Sequence, residues 1–374
     1  MNIQPGEKMK KGYSLIPLPL KINRMKNILK QVAGIDVAKK ELVVCLSFLD
    51  ENLSVGIISH QVFSNNKKGF EAMVRWVTKQ TGKETKVRYV MEATGVYHEA
   101  LAYFLTDKEL EVSIVLPNKI SNFFRTLEIN TITDKTASQA IARFGLERKL
   151  EVWKKPKDTF RQLKQLTRER DQMVADRTVL KNQLHAERSE AFPNQSSIKR
   201  INKRIALINK QEEEIKLEVA VMVKKDRELC DKIEKIATIP GVGKLTAVIV
   251  LAETNGFELI KNTKQLVSYS GLDVKVKDSG TSVKGKPKIS KKGNRHIRKA
   301  MHMPALSAIR YNEKHKALFT RLISKHGIRM KAVVAVQRKI LELIYIIYKT
   351  DLPFDQEYAK GENKTQKQIL EQPL

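Results

Sequence analysis

The sequence predicts a chain of mixed class, with an α/β domain first and a mostly helical region after it. Near the N-terminus, short runs rich in Val and Ile alternate with segments of helical periodicity. Two long polar segments in the middle carry apolar residues every three or four positions, as packed helices do. The last third joins apolar helical stretches to a glycine turn and a basic loop. At 374 residues, the chain has room for two or three domains.

The α/β domain is predicted over residues 31–150, after a flexible basic arm over residues 1–30. Polar turns divide the run QVAGIDVAKKELVVCLSFLDENLSVGIISHQVFS, which predicts three successive strands. There follow a helix over KKGFEAMVRWVTKQTG, a strand VRYVME, a helix GVYHEALAYFLTD, a strand LEVSIVLP and a helix ASQAIARFGL. Three strands followed by alternating helices and strands are the order of a ribonuclease-H-like domain.

Two long helices are predicted over residues 151–232, as a coiled-coil hairpin that turns at FPNQSS. Three charged residues, Arg170, Arg177 and Glu212, interrupt the two apolar seams. Polar residues at seam positions select the partner and the register at a cost in stability. The seam could close within the chain or between chains, and we favour an arm that joins subunits.

A C-terminal domain is predicted over residues 233–350, with a flexible tail over residues 351–374. It opens on IPGVGKLTA, which has the form of a helix-hairpin-helix turn. Glycines let the backbone approach phosphate, and the following helix offers free N–H groups, so Gly241, Gly243 and Lys244 are candidate DNA contacts. The alternative is a glycine turn that only leads into a packed helix. Further helices are predicted over about residues 297–311 and 328–348.

The charge of the chain indicates its class of partner. Lys and Arg number 70 against 41 Asp and Glu, a formal net charge of +29, which favours a nucleic-acid partner over a basic protein without one. A hydrophobic content of 41% excludes wholesale disorder. Two cysteines, Cys45 and Cys230, form neither a disulfide framework nor a zinc site. No apolar run reaches the roughly 18 residues of a membrane span, so we expect a soluble, cytoplasmic protein.

Three acids stand where a ribonuclease-H-like domain could bring them together. Asp36 is flanked by apolar residues in the first strand, Glu92 ends the fourth strand, and Asp134 precedes the helix ASQAIARFGL. Clustered carboxylates repel one another unless cations lie between them, and two Mg²⁺ ions would clamp a phosphodiester. Taken singly, Asp36 could be a solvated strand end, Glu92 could pair with a lysine, and Asp134 could be a helix N-cap.

A serine in the basic loop is a further candidate. Residues 271–300 hold ten Lys or Arg and two acids, and Ser279 lies within them in KDSGTSVKG. A serine nucleophile would divide strand transfer into two steps through a covalent phosphoserine. From the chemistry alone this assignment is weak, because Ser-Gly is a common turn dipeptide.

Five ordered motifs resemble those of one family. GIDVAKKEL, MEATGVYHEAL, TDKTASQAIARFG, IPGVGKLTAVIVLAE and SYSGLDVKVKDSGTSVKGKPKISKKGNRHIRKAM are similar to motifs of the DEDD transposases of bacterial insertion sequences. This is family one-ten, with its eleven-eleven subgroup, and the resemblance covers about residues 31–350. It implies a RuvC-like domain, a coiled coil and a transposase domain, acting as a recombinase guided by a bridge RNA that joins donor and target double-stranded DNA. Members are thought to act as homo-tetramers, with one subunit's acids and another's serine in one composite site.

By position, the resemblance assigns three metal-binding acids to Asp36, Glu92 and Asp134, and the nucleophile to Ser279. The fourth acid should stand three residues after Asp134, where this chain has Ala137. We therefore expect an impaired enzyme, and favour an engineered inactive form over a naturally decayed copy. Expected phosphate contacts around the serine are Lys284, Lys291, Lys292, Arg295 and Arg298.

Two other functions stay open at this stage. A RuvC-like nuclease of the Holliday-junction type would use water in place of serine and need no guide RNA. A structural DNA-binding protein would bridge duplexes without Mg²⁺-dependent chemistry. The sequence leaves open the target site, the guide RNA, the polarity of the phosphoserine link and the choice between dimer and tetramer. We expect the protein to act at bacterial DNA in the nucleoid.

Overall fold

The structure, a computed structural model, describes residues 28–81, 85–93, 95–127, 131, 133–258, 260–275, 278–279, 283–285 and 288–355. Of residues 278–279 and 283–284 it describes the backbone alone. The chain divides into two compact units, Met1–Lys155 and Pro156–Leu374. The predicted basic arm lies outside the described residues up to residue 27, and the predicted tail from residue 356.

The first unit alternates strands and helices after an opening run of three strands. Its elements are β1 (Ile28–Val37), β2 (Glu41–Asp50), β3 (Val55–Ser64), α1 (Lys67–Gln80), β4 (Val87–Glu92), α2 (Glu99–Asp107), β5 (Glu111–Val115), α3 (Pro117–Phe124) and α4 (Asp134–Glu147).

These strands form one five-stranded sheet in the order β3-β2-β1-β4-β5. The first three strands pair antiparallel, whereas β4 and β5 continue the sheet parallel to β1. Apolar residues of α1 and α2 cover one face, and apolar residues of α3 and α4 cover the other. The predicted α/β class is confirmed, with the strand order that the ribonuclease-H-like prediction requires.

Helix α4 packs against β1 with almost no side chain between them. A Cβ atom added to Gly34 of β1 would lie 2.3 Å from the backbone nitrogen of Ala142 in α4. Farther along α4, a Cβ on Gly145 would lie 2.8 Å from Val90 and 2.9 Å from Val32. Both glycines permit a close approach of helix and sheet. The position of α4 is therefore set closely by the backbone of the central strand.

The sequence analysis missed α3, which follows β5 without a loop. Pro117 occupies the first turn, where its fixed φ and missing N–H suit a helix. Ile120, Phe123 and Phe124 then bury one face at helical spacing. Eight residues are too short a segment for periodicity to separate the helix from the end of the strand.

The second unit begins with two long helices and continues with shorter helices around a small ribbon of strands. Its elements are α5 (Asp158–Ser189), α6 (Gln195–Lys225), α7 (Arg227–Ala237), α8 (Lys244–Thr254), α9 (Thr263–Ser270), β6 (Val274–Lys275), β7 (Asp278–Ser279), β8 (Val283–Lys284), β9 (Lys288–Ile289), α10 (Arg295–Ala300), α11 (His302–Tyr311), α12 (Glu313–His326) and α13 (Arg329–Thr350). The mostly helical C-terminal part is thereby confirmed. The sequence analysis did not predict α12.

Helices α5 and α6 form an antiparallel hairpin whose charged seam residues pair within the chain. Glu212 of α6 is 3% exposed and binds two arginines of α5. Arg170 lies 2.8 Å from one carboxylate oxygen, and Arg177 donates to the other. These pairs fix the register of α5 on α6, so the polar seam positions are satisfied without a second chain.

The core of the second unit draws on both its long and its short helices. Phe160 and Leu163 from α5 join buried residues of α6, α7, α8 and α13 in one cluster. Helix α8 is the most enclosed of these, since every residue from Ala247 to Thr254 is buried. Within the part of the chain that the structure describes, none of the helices is long and apolar enough to cross a membrane.

Candidate active site and nucleic-acid surfaces

Two of the predicted acids lie side by side at one end of the sheet. Strands β1 and β4 are parallel neighbours with Ile35 opposite Met91, so Asp36 and Glu92 come next in the same register. Residues two apart in a strand share a face. Asp36 therefore lies on the same face as Gly34, the face against which α4 packs. The register thus directs both acids toward α4.

The third acid, Asp134, is the first residue of α4. It is not the N-cap: Thr133 is, and its hydroxyl accepts from the backbone N–H of Thr136 at 3.2 Å. The hydroxyl of Thr136 in turn accepts from the backbone N–H of Thr133 at 2.8 Å, which completes a capping box. The alternative interpretation of Asp134 as a helix cap is therefore wrong, and its side chain is exposed.

The three carboxylates are close enough to influence one another. The pKa of Asp36 is raised from its ordinary value of 3.8 to about 6, first by burial and then by the charges of Asp134 and Glu92. A backbone hydrogen bond from Val37 opposes the rise. The strand register therefore places Asp36 beside Glu92, as the parallel strand order led us to expect, and Asp134 is close enough for its charge to act on Asp36.

Ala137 stands where the family resemblance led us to expect a fourth acid, and it lies beside Glu92. Ala137, one turn into α4, and Glu92 line one cleft of about 720 Å³. The opposite wall comes from α3 and the residues after it, including Asn118, Ser121 and Arg125. A side chain longer than alanine at position 137 would thus extend into the space beside Glu92.

The donor chemistry suits a hard divalent cation. Carboxylate oxygens are the ligands that Mg²⁺ prefers. The pKa of Asp36 is raised first by burial and then by repulsion from Asp134 and Glu92, and a cation bound there would favour the charged form. Among the described residues, however, no three acidic, histidine or cysteine side chains already stand in an arrangement that could hold a metal ion. The acids fit magnesium in the kind of ligand atom that they offer.

Ser279 lies on one of four short strands, β6 to β9, whose described residues are here called the serine ribbon. In one pair β6 lies antiparallel to β9, and in the other β7 lies antiparallel to β8, with Ser279 opposite Val283. The described segments that flank and include the first pair, residues 269–275 and 288–294, are here called the base of the ribbon. The side chains of Ser279 and Lys284 lie outside the described residues. The structure therefore gives the serine a backbone position and leaves its role a prediction.

The predicted phosphate contacts near the ribbon fall into two kinds. Lys291, Lys292 and Arg295 are exposed. Arg298 is half-buried, and its guanidinium donates to the carbonyls of Ser270 at 2.7 Å and Gly293 at 3.1 Å. Arg298 therefore helps to close the base of the serine ribbon, a role that sequence reasoning did not foresee.

The glycine turn between α7 and α8 gives its two glycines different surroundings. Gly241 has φ +89°, and a Cβ there would lie 2.6 Å from the carbonyl oxygen of Pro304. Gly243, the N-cap of α8, would carry a Cβ with nothing within 4 Å. Gly241 is thus required for packing, whereas Gly243 leaves the backbone accessible. Lys244 is exposed and pairs with Glu234.

Two features of charge were not found from the sequence. One is a buried carboxylate, Glu253, which the side chains of Arg168 and Asn294 hold near the ribbon base. The other is a cleft of about 540 Å³ at the end of the sheet opposite the acids. Its walls include five cationic residues, Lys30, Lys86, Arg88, Arg148 and Lys149. Both join residues far apart in the chain, so no local pattern marks them.

Burial also excludes a competing nucleophile. Cys45 lies in β2 at the centre of the sheet, and burial raises the pKa of its thiol to about 11. A thiol with that pKa stays protonated at neutral pH, so it is a poor nucleophile.

Comparison with known proteins gives consistent matches along the chain. Residues 33–193 match a DEDD transposase domain model of the IS110 group, and residues 233–320 match the model described as Transposase IS116/IS110/IS902 family. The chain is 28% identical over 338 residues to the pilin gene-inverting proteins of Moraxella bovis and Moraxella lacunata, covering 87% of this chain and 98% of each relative. A solved RuvC from T. thermophilus bound to a Holliday junction covers 33% of this chain at 12% identity, with a TM-score of 0.25.

Proposed function

We propose that this chain, which belongs to the IS110 family of transposases by the match of both its domains, is a DNA recombinase guided by RNA. Recombinase or transposase activity follows from the family. The guide RNA, the serine nucleophile and the impairment at Ala137 are our proposals. The observation that carries the site is the convergence of Asp36, Glu92 and Asp134 at one end of the sheet.

In the proposed reaction, Ser279 is the nucleophile. Its hydroxyl oxygen attacks the phosphorus of a DNA phosphodiester, a new P–O bond forms to serine, and one P–O bond to a sugar oxygen breaks. The serine proton leaves to solvent, and the departing sugar oxygen takes up a proton. A sugar hydroxyl of a second strand then attacks the phosphoserine, which releases the serine and completes the exchange without an external energy source.

The carboxylates hold the phosphodiester for this attack. Asp36, Glu92 and Asp134 would bind Mg²⁺, which stabilises charge on the attacking and leaving oxygens when it is bound. Exposed cations around the serine ribbon, Lys291, Lys292 and Arg295, would contact neighbouring phosphates. By the family resemblance, the serine of one subunit works with the carboxylates of another in a dimer or tetramer.

The guide RNA would bind away from the carboxylates. The basic cleft around Lys30, Lys86 and Arg148 opens at the opposite end of the sheet, with Lys30 roughly 20 Å from Asp36 at about 3.3 Å per strand residue. The cleft would give RNA a basic surface separate from the carboxylates. Purifying the protein from its host and sequencing the co-purified RNA tests this; recovery of only random fragments would reject RNA guidance.

Restoring the fourth carboxylate tests the site. Ala137→Asp adds charge and a metal ligand beside Glu92, so Mg²⁺-dependent strand exchange between donor and target DNA should rise at least about tenfold. The matched control is Ala137→Asn, which has nearly the same shape without the charge and should give no such gain. Equal exchange by the original chain and the Ala137→Asp variant would reject the metal site.

Trapping the covalent product separates serine from water as the nucleophile. In the Ala137→Asp background, Ser279→Ala should abolish the protein–DNA adduct and the exchange. Cleavage that survives Ser279→Ala would instead identify a nuclease of the Holliday-junction type that uses water. DNA binding with a steep salt dependence, but no Mg²⁺-dependent chemistry in any variant, would leave a structural DNA-binding protein.

A further inference from the structure

A buried chain of polar groups joins the long helix α5 to the base of the serine ribbon. At its centre is Glu253 of α8, whose side chain is fully buried. Arg168 of α5 donates to both carboxylate oxygens, at 2.7 and 2.9 Å. Asn294 donates its side-chain amide to the second oxygen at 2.6 Å. One carboxylate therefore connects three separate segments of the chain.

Asn294 lies where the ribbon returns to helical structure. Its backbone N–H donates to the carbonyl of Tyr269 at 2.7 Å, across the base of the serine ribbon. Its side-chain oxygen caps α10 by accepting from the backbone N–H groups of His296 and Ile297. The hydroxyl of Tyr269 donates to the backbone carbonyl of Glu253 at 2.9 Å. Tyr269 before the ribbon and Asn294 after it thus both hydrogen-bond to Glu253.

A second contact between α5 and α10 lies beside the first. Asp171 follows Arg168 by three residues, which places both on one face of α5. One of its carboxylate oxygens lies 3.0 Å from Nδ1 of His296, and the other 3.2 Å from the ammonium of Lys299. Helix α5 is therefore linked to α10, the helix directly after the ribbon, directly through Asp171 and indirectly through Arg168 and Glu253.

This arrangement is a costly way to gain stability. A carboxylate loses its hydration on burial, and apolar residues of similar volume would stabilise a core at least as well. The two side chains that bind the Glu253 carboxylate fix its direction, because the guanidinium fork of Arg168 and the amide of Asn294 each donate in a defined geometry. The ribbon strands are only two residues long, so they offer little rigidity of their own.

We propose that Glu253 is a positioning residue for the serine ribbon, holding its base against α5 so that the strand that carries Ser279 keeps one position. The proposal rests on the proposed function for the role of Ser279. Arg168 and Asn294 act with Glu253 by binding its carboxylate, and Asp171 of α5 adds contacts to His296 and Lys299 of α10. The residues act through the ribbon and do not touch DNA.

The experiment uses the full chain in the Ala137→Asp background. Glu253→Gln removes the charge that Arg168 needs, and Asn294→Asp sets two carboxylates against each other while keeping a good helix cap. The double variant, Glu253→Gln with Asn294→Asp, exchanges the two groups and restores the amide–carboxylate hydrogen bond. Glu342→Gln is the matched control, since Glu342 pairs with Arg338 and Lys339 on α13.

Two readouts are measured for each variant: the rate of covalent adduct formation at saturating DNA, and amide exchange at residues 269–275 and 288–294. Each single variant should slow the adduct rate by up to about 10²-fold, as small misplacements of reacting groups do. DNA affinity should change less than about twofold, and exchange at the ribbon base should rise about tenfold. The double variant should recover part of the adduct rate and part of the protection from amide exchange, and Glu342→Gln should alter neither readout.

The outcomes separate this proposal from the proposed function. If the parent Ala137→Asp protein forms no adduct, the proposed chemistry fails, yet amide exchange still decides whether Glu253 orders the ribbon. Unchanged exchange at the ribbon base in Glu253→Gln would overturn the positioning role. The positioning role would also be overturned if the adduct rate of Glu253→Gln fell only in proportion to a loss of DNA affinity. Should Glu253→Gln not fold, Arg168→Gln at a half-exposed position is judged by the same measurements.

Discussion

Replacing Asp36 by asparagine should stabilise the first unit in the absence of metal. The carboxyl of Asp36 has its pKa raised from 3.8 to about 6 by burial and by the charges of Asp134 and Glu92. A difference of about two pH units corresponds to about 3 kcal/mol at 1.36 kcal/mol per unit. Because the residue is only half-buried, solvent screening reduces the expected gain to about 1–2 kcal/mol at pH 8.

The pH dependence has a definite sign. A carboxyl with a raised pKa binds its proton more tightly in the folded state than in the unfolded state. The free energy of unfolding of the original chain should therefore fall as pH rises from about 4 to about 6, and stay low above that. Asparagine does not titrate, so the advantage of Asp36→Asn should vanish below about pH 4.

Urea unfolding followed by tryptophan fluorescence measures this unit alone. Both tryptophans of the chain, Trp76 and Trp153, lie in the first unit, where they pack on Phe63 and Tyr103. The free energy of unfolding is measured in EDTA at pH 4, where Asp36 is mostly protonated, and at pH 8, where it is charged. Adding Mg²⁺ at pH 8 should then stabilise the original chain more than Asp36→Asn.

The control is Asp107→Asn, an exposed acid of the same unit, which should change stability by less than about 0.5 kcal/mol. If Asp36→Asn is neutral or destabilising at pH 8, or if its effect is the same at pH 4, the charge of Asp36 is not opposed by burial and by the neighbouring carboxylates as argued. Their role as a shared metal site would then lose its electrostatic basis.

Two more predictions concern the second unit. Glu212→Gln should destabilise the helical hairpin by about 3 kcal/mol, because two arginines lose their buried partner, and urea unfolding followed by circular dichroism measures it. Burial alone would raise the pKa of Glu212, but Arg177 and Arg170 lower it. The stabilisation that Glu212 contributes should therefore disappear in acid. A Glu212→Gln variant as stable as the parent at neutral pH would contradict the pairing. Gly241→Ala should destabilise the unit by about 1–3 kcal/mol, because Gly241 has a φ of +89° and lies against α11. Gly243→Ala is the control and should fold normally, since nothing lies within 4 Å of the added Cβ. Equal melting temperatures for the two variants would refute the assignment of a packing role to Gly241 alone.

The sequence was most informative where long periodic segments decide the structure. Strong patterns predicted the five strands and the long helices, and parallel neighbours then required Asp36 and Glu92 to meet at one rim. The assignment of Ala137 as a lost ligand needed the family resemblance. Periodicity carries no information on which single alanine once faced a metal.

Contacts between distant segments account for what the sequence did not predict. Glu253 ends an apolar helix, where an acid is typical of a solvated terminus, yet its partners stand 85 and 41 residues away in Arg168 and Asn294. Arg298 was expected on phosphate because it lies in a basic run, and nothing in the sequence indicated that its Nη1 also donates to two backbone carbonyls at the ribbon base. Helices α3 and α12 are defined by what they pack against, which no local window reveals.

The contact between Gly34 and Ala142 makes the spacing of strand and helix a property of main-chain atoms. Side chains around it can be exchanged over evolutionary time without altering that spacing. A change of residue at position 137, as in Ala137→Asp, should therefore leave the distance between strand and helix unchanged. Variants at that position would then share one architecture and differ only in the charge beside Glu92.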